Sequence, residues 1–210
     1  MLRVQGLTAW REDRCLYCDV ALALPAGSIT QIRGPNGAGK TTLLKHIAGL
    51  AGHRAGLVSW LAYDSHNDRD DFLNNLLYLG HLPGIKSALS VAENLTALAA
   101  CRGVSLSPET IAHALNTVKL AGYDDMPCHQ LSAGQLRRVA LARLFTEPVA
   151  LWLLDEPFTA IDQAGVRELE GWLVAHAAHG GVVLLTTHHQ LQVSCPVHYV
   201  DLLPLPEGRD

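Results

Sequence analysis

Near the start of the chain, apolar and polar side chains alternate in strand fashion, from Leu2 to Thr8 and again from Leu16 to Leu24. Pro25-Ala26-Gly27 is a turn signal, and Ser28 to Arg33 is a short β-rich run that stops at Gly34. Beyond a glycine-rich stretch, Thr41 to Leu50 places its apolar residues at helical spacing and closes on Ala51-Gly52. From about Ser87 to Leu144 the period is mainly helical, with Ser107-Pro108-Glu109 as a helix start. Strand character returns at Val149 to Leu154, a wholly apolar run of the kind found in buried parallel strands. A helix over about Gln163 to Ala178, the pair Gly180-Gly181 and a second buried strand, Val182 to Thr186, complete the pattern. No repeat, low-complexity tract or long linker interrupts it. The pattern predicts an α/β fold in which a helical insertion interrupts a parallel core. One domain over 1–210 is expected, with a core lobe at about 1–82 and 148–210 and a helical lobe at about 83–147.

Composition narrows the class without changing this outline. Of 210 residues, 49% are hydrophobic and 17% charged, ordinary for a globular α/β protein. A net charge of −4, with basic residues scattered apart from the pair Arg137-Arg138, gives no reason to expect nucleic acid as a partner. No apolar run approaches the ~18 residues that span a bilayer. Met1 to Gln5 lacks the basic-then-apolar layout of a secretory signal. A cytosolic chain is expected, held at a membrane only by another protein. Five cysteines, an odd number, fit reduced thiols; Cys15 and Cys18 form C-x-x-C, but Asp19 follows where haem attachment needs His. Plain packing is expected of the cysteines, since a buried thiol acts as a small hydrophobe. The eleven histidines show no metal-ligand spacing.

Two motifs carry chemistry. Gly34-Pro35-Asn36-Gly37-Ala38-Gly39-Lys40-Thr41 fits G-x-x-x-x-G-K-[ST], with a strand before it and a helix, continuing through Thr42, after it. The glycines let successive N–H groups curl round phosphate oxygens, and the helix N-terminus adds partial positive charge. Lys40 is expected to neutralise the β- and γ-phosphates and Thr41 to ligate Mg²⁺. Asp155 and Glu156 close the apolar strand, where a carboxylate is costly unless it meets a cation. Asp155 is the expected second Mg²⁺ ligand, and Glu156 the expected base for the attacking water.

Leu131-Ser132-Ala133-Gly134-Gln135, with Leu136 to Arg143 continuing as a helix, resembles the signature sequence of ATP-binding-cassette (ABC) ATPases. Thr159-Ala160-Ile161-Asp162 is similar to that family's D-loop, and His188 to its switch histidine, all in the family's order. The resemblance covers essentially the whole chain. It implies a P-loop NTPase with a RecA-like parallel-sheet core, an N-terminal antiparallel β subdomain and a helical subdomain. It also implies catalytic roles for Lys40, Glu156 and His188, and an ATP-dependent homodimer in which Ser132, Ala133, Gly134 and Gln135 of one subunit complete the other's site. Ala133 replaces the commoner glycine but keeps its N–H. Aligning Ser90-Val91-Ala92-Glu93-Asn94-Leu95 with the family pattern puts His81 at the Q-loop glutamine position. Either an imidazole nitrogen takes over the glutamine's role, or the ring packs in the loop. Trp10 lies about where the family stacks an aromatic on adenine; a packing position is the alternative.

Gly80 to Lys86, Leu131 to Leu144 and Leu151 to Asp162 resemble the ATP-binding subunits of bacterial cytochrome c maturation, the haem exporter family. That resemblance implies a multi-pass permease partner, haem-handling membrane proteins and a peripheral place on the cytoplasmic face of the inner membrane. It points to residues 81–90 as the docking stretch, with exposed Ile85 and Leu89 as an apolar seat and Lys86 at its rim; the alternative is that these residues cover the helical lobe's own core. Transport of another substrate (a metal, lipid or drug), a soluble non-transport ABC ATPase, and a regulatory module without turnover stay open at this stage.

Overall fold

The computed structural model describes residues 1–12, 14–52 and 55–203. The chain divides into two compact units, one of residues 1–78, 149–157 and 169–210 and the other of 79–148 and 158–168. Residues 204–210 of the expected core lobe lie outside the described residues.

The first unit holds two sheets. Strands β1 (Leu2–Arg11), β2 (Arg14–Leu24), β4 (Ala55–Trp60) and β5 (Tyr63–Asp64) form an antiparallel sheet in the order β2-β1-β4-β5. In β1, Leu2 and Val4 and then Leu7 and Ala9 are buried at period two, with the register shifting between Val4 and Leu7. The second sheet runs β6-β7-β8-β3-β9, from β6 (Leu76–Leu79), β7 (Leu151–Asp155), β8 (Val182–Thr186), β3 (Ile29–Arg33) and β9 (Val197–Asp201). Its pairs β7–β8, β8–β3 and β3–β9 are parallel. Every residue of β7 and β8 is buried, which accounts for their unbroken apolar runs. Helix α1 (Lys40–Ile47) places Leu43, Leu44 and Ile47 in one core cluster with residues of β1, β2, β4, β7 and β8 and with Phe72 of α2 (Arg69–Asn74). On the other side of β7, the Trp152 ring stacks on His176 of α6 (Gln163–Ala178), 3.8 Å apart and 8° from parallel.

The second unit is built on α3 (Val91–Ala100), α4 (Pro108–Thr117) and α5 (Ala133–Thr146). Each helix starts on a serine: Ser90, Ser107 and Ser132 accept a hydrogen bond from a first-turn N–H. At the far end of α5, buried Glu147 receives the guanidinium groups of Arg102, at 2.6 Å, and Arg143, at 3.1 Å. A buried carboxylate persists where paired cations offset its desolvation.

Two expectations change. All five cysteines are free, but only Cys128 is buried, while Cys18 and Cys101 are exposed; neither of these two is a packing residue. Ile85 and Leu89 are half-buried and not exposed; the large apolar side chain that lies open on that loop is Leu82, 78% exposed.

Candidate active site

The phosphate-loop residues follow the inner strand β3, flanked on both sides by β8 and β9. Gly37 and Gly39 sit at φ 82° and 92°, left-handed values that cost a side chain energy. Gly39 also faces the Tyr17 ring, which a Cβ there would meet at 3.2 Å. Pro35, Asn36 and Gly37 are exposed and Ala38 is buried. Lys40 bends its ammonium back over the loop, donating to the Gly34 carbonyl at 2.8 Å and the Pro35 carbonyl at 3.1 Å. Helix α1 begins on Gly39 with no side-chain cap and no acidic residue in its first turn. No capping side chain and no acidic residue of its own first turn compete for its N–H groups and dipole, the arrangement that suits phosphate.

Asp155 is 1% exposed at the end of β7. Its Oδ1 accepts from the Thr41 hydroxyl at 3.1 Å and from Thr186 at 2.6 Å, joining the phosphate loop's helix to the strand-end carboxylates. These are hard oxygen ligands. Among the described residues no three His, Cys, Asp or Glu side chains gather as a metal cage. Mg²⁺ takes one or two protein oxygens and leaves its other positions to phosphate and water. The pair Thr41 and Asp155 therefore suits the ion. Tyr78, at the end of β6, has its hydroxyl pushed up to about 12, by burial first and then by the Asp155 charge.

Glu156 follows in the left-handed region at φ 49°, a strained backbone for a non-glycine residue, worth ~1–3 kcal/mol. Its N–H is anchored on Thr186, 3.1 Å from the carbonyl and 3.0 Å from the hydroxyl. The carboxylate then points at His188: Oε1 lies 3.6 Å from Nε2, and Oε2 accepts from the His188 N–H at 3.4 Å. Strain of this kind, held by surrounding bonds, re-aims a side chain off the strand.

In the second unit, Ser132 and Gln135 close a reciprocal capping box at the start of α5. Gln135 N–H donates to Ser132 Oγ at 3.2 Å, and Ser132 N–H to Gln135 Oε1 at 2.9 Å. A Cβ on Gly134 would meet the Ala160 carbonyl at 2.8 Å, so glycine there permits close approach of the 159–162 segment. Asp162 accepts from the Gly165 N–H at 3.0 Å and from Arg138 at 3.1 Å, bonds that lower its pKa in that order. Arg138 also holds Glu168 and the Val118 carbonyl, each at 3.1 Å. The His81 imidazole is exposed on its loop.

The family profile described as ABC transporter matches residues 17–159. The chain belongs to the ABC transporter family. It is an ABC-type ATPase subunit, and relatives about half identical to it are cytochrome c biogenesis ATP-binding export proteins. The one from Yersinia pestis bv. Antiqua (strain Nepal516), named CcmA, is 50% identical over 191 residues, 91% of this chain and 87% of the relative. Its counterpart from Hahella chejuensis (strain KCTC 2396) is 48% identical over 202 residues, 96% and 95% of the two chains. Among solved structures, an ATP-binding subunit of an ABC transporter superposes with a TM-score of 0.81 at 26% identity, over 90% of this chain and 79% of the other. The bacterial ABC transporter cassette MJ0796, in a dimeric structure, gives 0.84 at 21% identity over 96% and 95%, a likeness of fold.

Within this ABC fold the first unit brings together Gly34 to Thr42, Asp155, Glu156 and His188. Ser132 to Gln135, Asp162 and His81 belong to the second unit. Trp10 is half-buried near the end of β1, across from Cys15. Sequence reasoning missed four supports. Tyr17 bonds His46 Nδ1 at 2.6 Å in the interior, beside the Gly39 backbone, and burial pushes the Tyr17 hydroxyl pKa up. Thr186 anchors both Asp155 and Glu156. Arg137 is buried and reaches the Gly80 carbonyl at 3.0 Å. His189 bonds buried Glu170 at 3.0 Å and so braces the loop that carries His188. Each pairs residues far apart in the chain, with no local signal to mark it.

Proposed function

We propose that this chain hydrolyses ATP to drive an export step of cytochrome c biogenesis, as the energy-converting subunit of a membrane complex. The Thr41–Asp155 bond at 3.1 Å carries the catalytic part, because it couples a phosphate-binding helix terminus to strand-end carboxylates. In this reading the N–H groups of residues 34–42 and the Lys40 ammonium receive the triphosphate. Thr41 and Asp155 hold Mg²⁺, which when bound supplies positive charge to the phosphate oxygens. Glu156 takes a proton from water as the water oxygen bonds to the γ-phosphorus and the bond to the ADP oxygen breaks. His188, 3.6 Å from Glu156, orients that carboxylate. Ser132, Ala133, Gly134 and Gln135 of a second copy, with Asp162 beside them, close the site from across a head-to-tail homodimer. Trp10 stacks on adenine, and His81 stands in for the Q-loop glutamine.

The name shared by relatives about half identical to this chain supports the biological role. No helix among the described residues is long and apolar enough to cross a membrane. In this reading a permease holds the chain at the cytoplasmic face of the inner membrane, and haem-handling proteins complete the complex. In a bacterium whose own relative has been deleted, wild-type chain should restore covalent haem on c-type cytochromes, and Glu156→Gln should not. Restoration by neither contradicts the role in cytochrome c biogenesis, and restoration by both contradicts the need for hydrolysis.

A further inference from the structure

Residues 80–90, between β6 and α3, contain no helix and only one isolated strand bridge, Ser90 with Pro127. Their shape must come from outside, and one continuous element grips both ends. At the front, Arg137 of α5, 3% exposed, donates from Nη1 to the Gly80 carbonyl at 3.0 Å, with His81 O at 3.5 Å. At the rear, the turn Cys128–Gln130 donates from the Cys128 N–H to Leu89 O and from the His129 N–H to Ser87 O, both at 3.0 Å. Asn94 of α3, 1% exposed, clasps the same end: Oδ1 accepts from the Lys86 N–H at 2.8 Å, and Nδ2 donates to Lys86 O at 3.0 Å and Ser90 O at 2.9 Å. Nδ2 also lies 3.2 Å from Cys128 Sγ, so the clasp and the turn meet. The turn runs through Leu131, whose N–H bonds Cys128 O at 3.2 Å, straight into the Ser132 cap of α5.

We propose that Arg137 and Asn94 are positioning residues for ATP turnover, fastening segment 80–90 to the Ser132 end of α5 so that the two move as one body. The inference rests on the reading that Ser132 to Gln135 act in turnover. Both residues present nearly inaccessible polar groups to backbone groups that have no ladder of their own, and this makes the bonds selective for one segment geometry. Removing Arg137 leaves the half-buried Gly80 carbonyl next to exposed His81, where water can take its place. The segment then loses its front attachment.

The test is steady-state phosphate release by the full-length chain against ATP concentration, with nucleotide-binding stoichiometry measured alongside. Arg137→Met should lower kcat by about tenfold with KM for ATP within about twofold, the pattern of a group acting after binding. Arg137→Lys, which keeps one charged donor, should recover at least half of that loss. Unchanged kcat in Arg137→Met, with Glu156→Gln inactive, overturns the positioning role alone. Full turnover in Glu156→Gln overturns the underlying active-site reading instead. A measurement that needs no Arg137 variant is amide hydrogen exchange of Glu156→Gln with and without Mg-ATP. The Lys86, Cys128 and His129 amides should slow together with Ala133 to Gln135. Slowing in one group without the other, or in neither, contradicts movement as one body.

Discussion

Two helix starts in this molecule are built in opposite ways. Helix α1 opens on left-handed Gly39, without a capping side chain or an acidic residue in its first turn. Helix α5 opens on Ser132, whose side chain and that of Gln135 satisfy two N–H groups reciprocally. A helix end costs stability when its donors go unmet, so the first is complete only with an anion and the second is complete alone. In α5, Ser132 Oγ is engaged as an acceptor, but its hydroxyl hydrogen is still a donor. In the proposed function one end holds phosphate, while the other is rigid and offers a contact. The contrast separates binding from positioning, and each can be attacked by itself.

The largest effect is expected at the open end. Lys40→Met removes the ammonium proposed to meet the phosphates in ground and transition state alike. ATP affinity, by calorimetric titration, should fall by at least about tenfold, with turnover falling further. Ser132→Asp sharpens the comparison. Aspartate caps as well as serine does, so the melting temperature should hold, but its charge opposes a phosphate and should cut kcat by about tenfold or more. If Ser132→Asp turns over normally, that end of α5 meets no phosphate. Ser132→Ala should cost ~1 kcal/mol of stability, a fall of about 2–4 °C in thermal unfolding.

The smallest effect is on pH dependence. His176 is stacked on Trp152 and bonded to the Ala150 carbonyl at 3.2 Å, and burial lowers its pKa. The unfolded chain takes up a proton near the ordinary value of ~6.5, while the folded chain resists it. Stability is therefore present above that pH and declines as pH falls through it. Thermal melts at pH 7.5 and 5.5 should differ, and His176→Gln should shrink the difference.

Local chemistry was legible, and long-range support was not. The phosphate loop, the buried strand ending in Asp155 and the Ser132 start of α5 each carry a signal within a few neighbouring residues. Strands β4, β5, β6 and β9 and helix α2 gave no such signal: β4 carries Gly56 and exposed Leu57, and β9 is largely exposed, so neither alternates cleanly. Ile85 and Leu89 misled because apolarity alone does not say which side of an irregular loop faces out. The bonds Tyr17–His46, Arg137–Gly80 and Thr186–Asp155 span 29, 57 and 31 residues, separations that only tertiary folding closes.

Phosphate release by the purified chain, wild type against Glu156→Gln at saturating Mg-ATP, bears most directly on the catalytic reading. Glu156 is the one carboxylate at the site that combines a strained backbone at φ 49° with a histidine partner 3.6 Å away. The expected result is turnover reduced by ~10²–10⁴-fold in the variant, with ATP bound at wild-type stoichiometry. Wild-type turnover in Glu156→Gln would contradict the assignment of this carboxylate as the base.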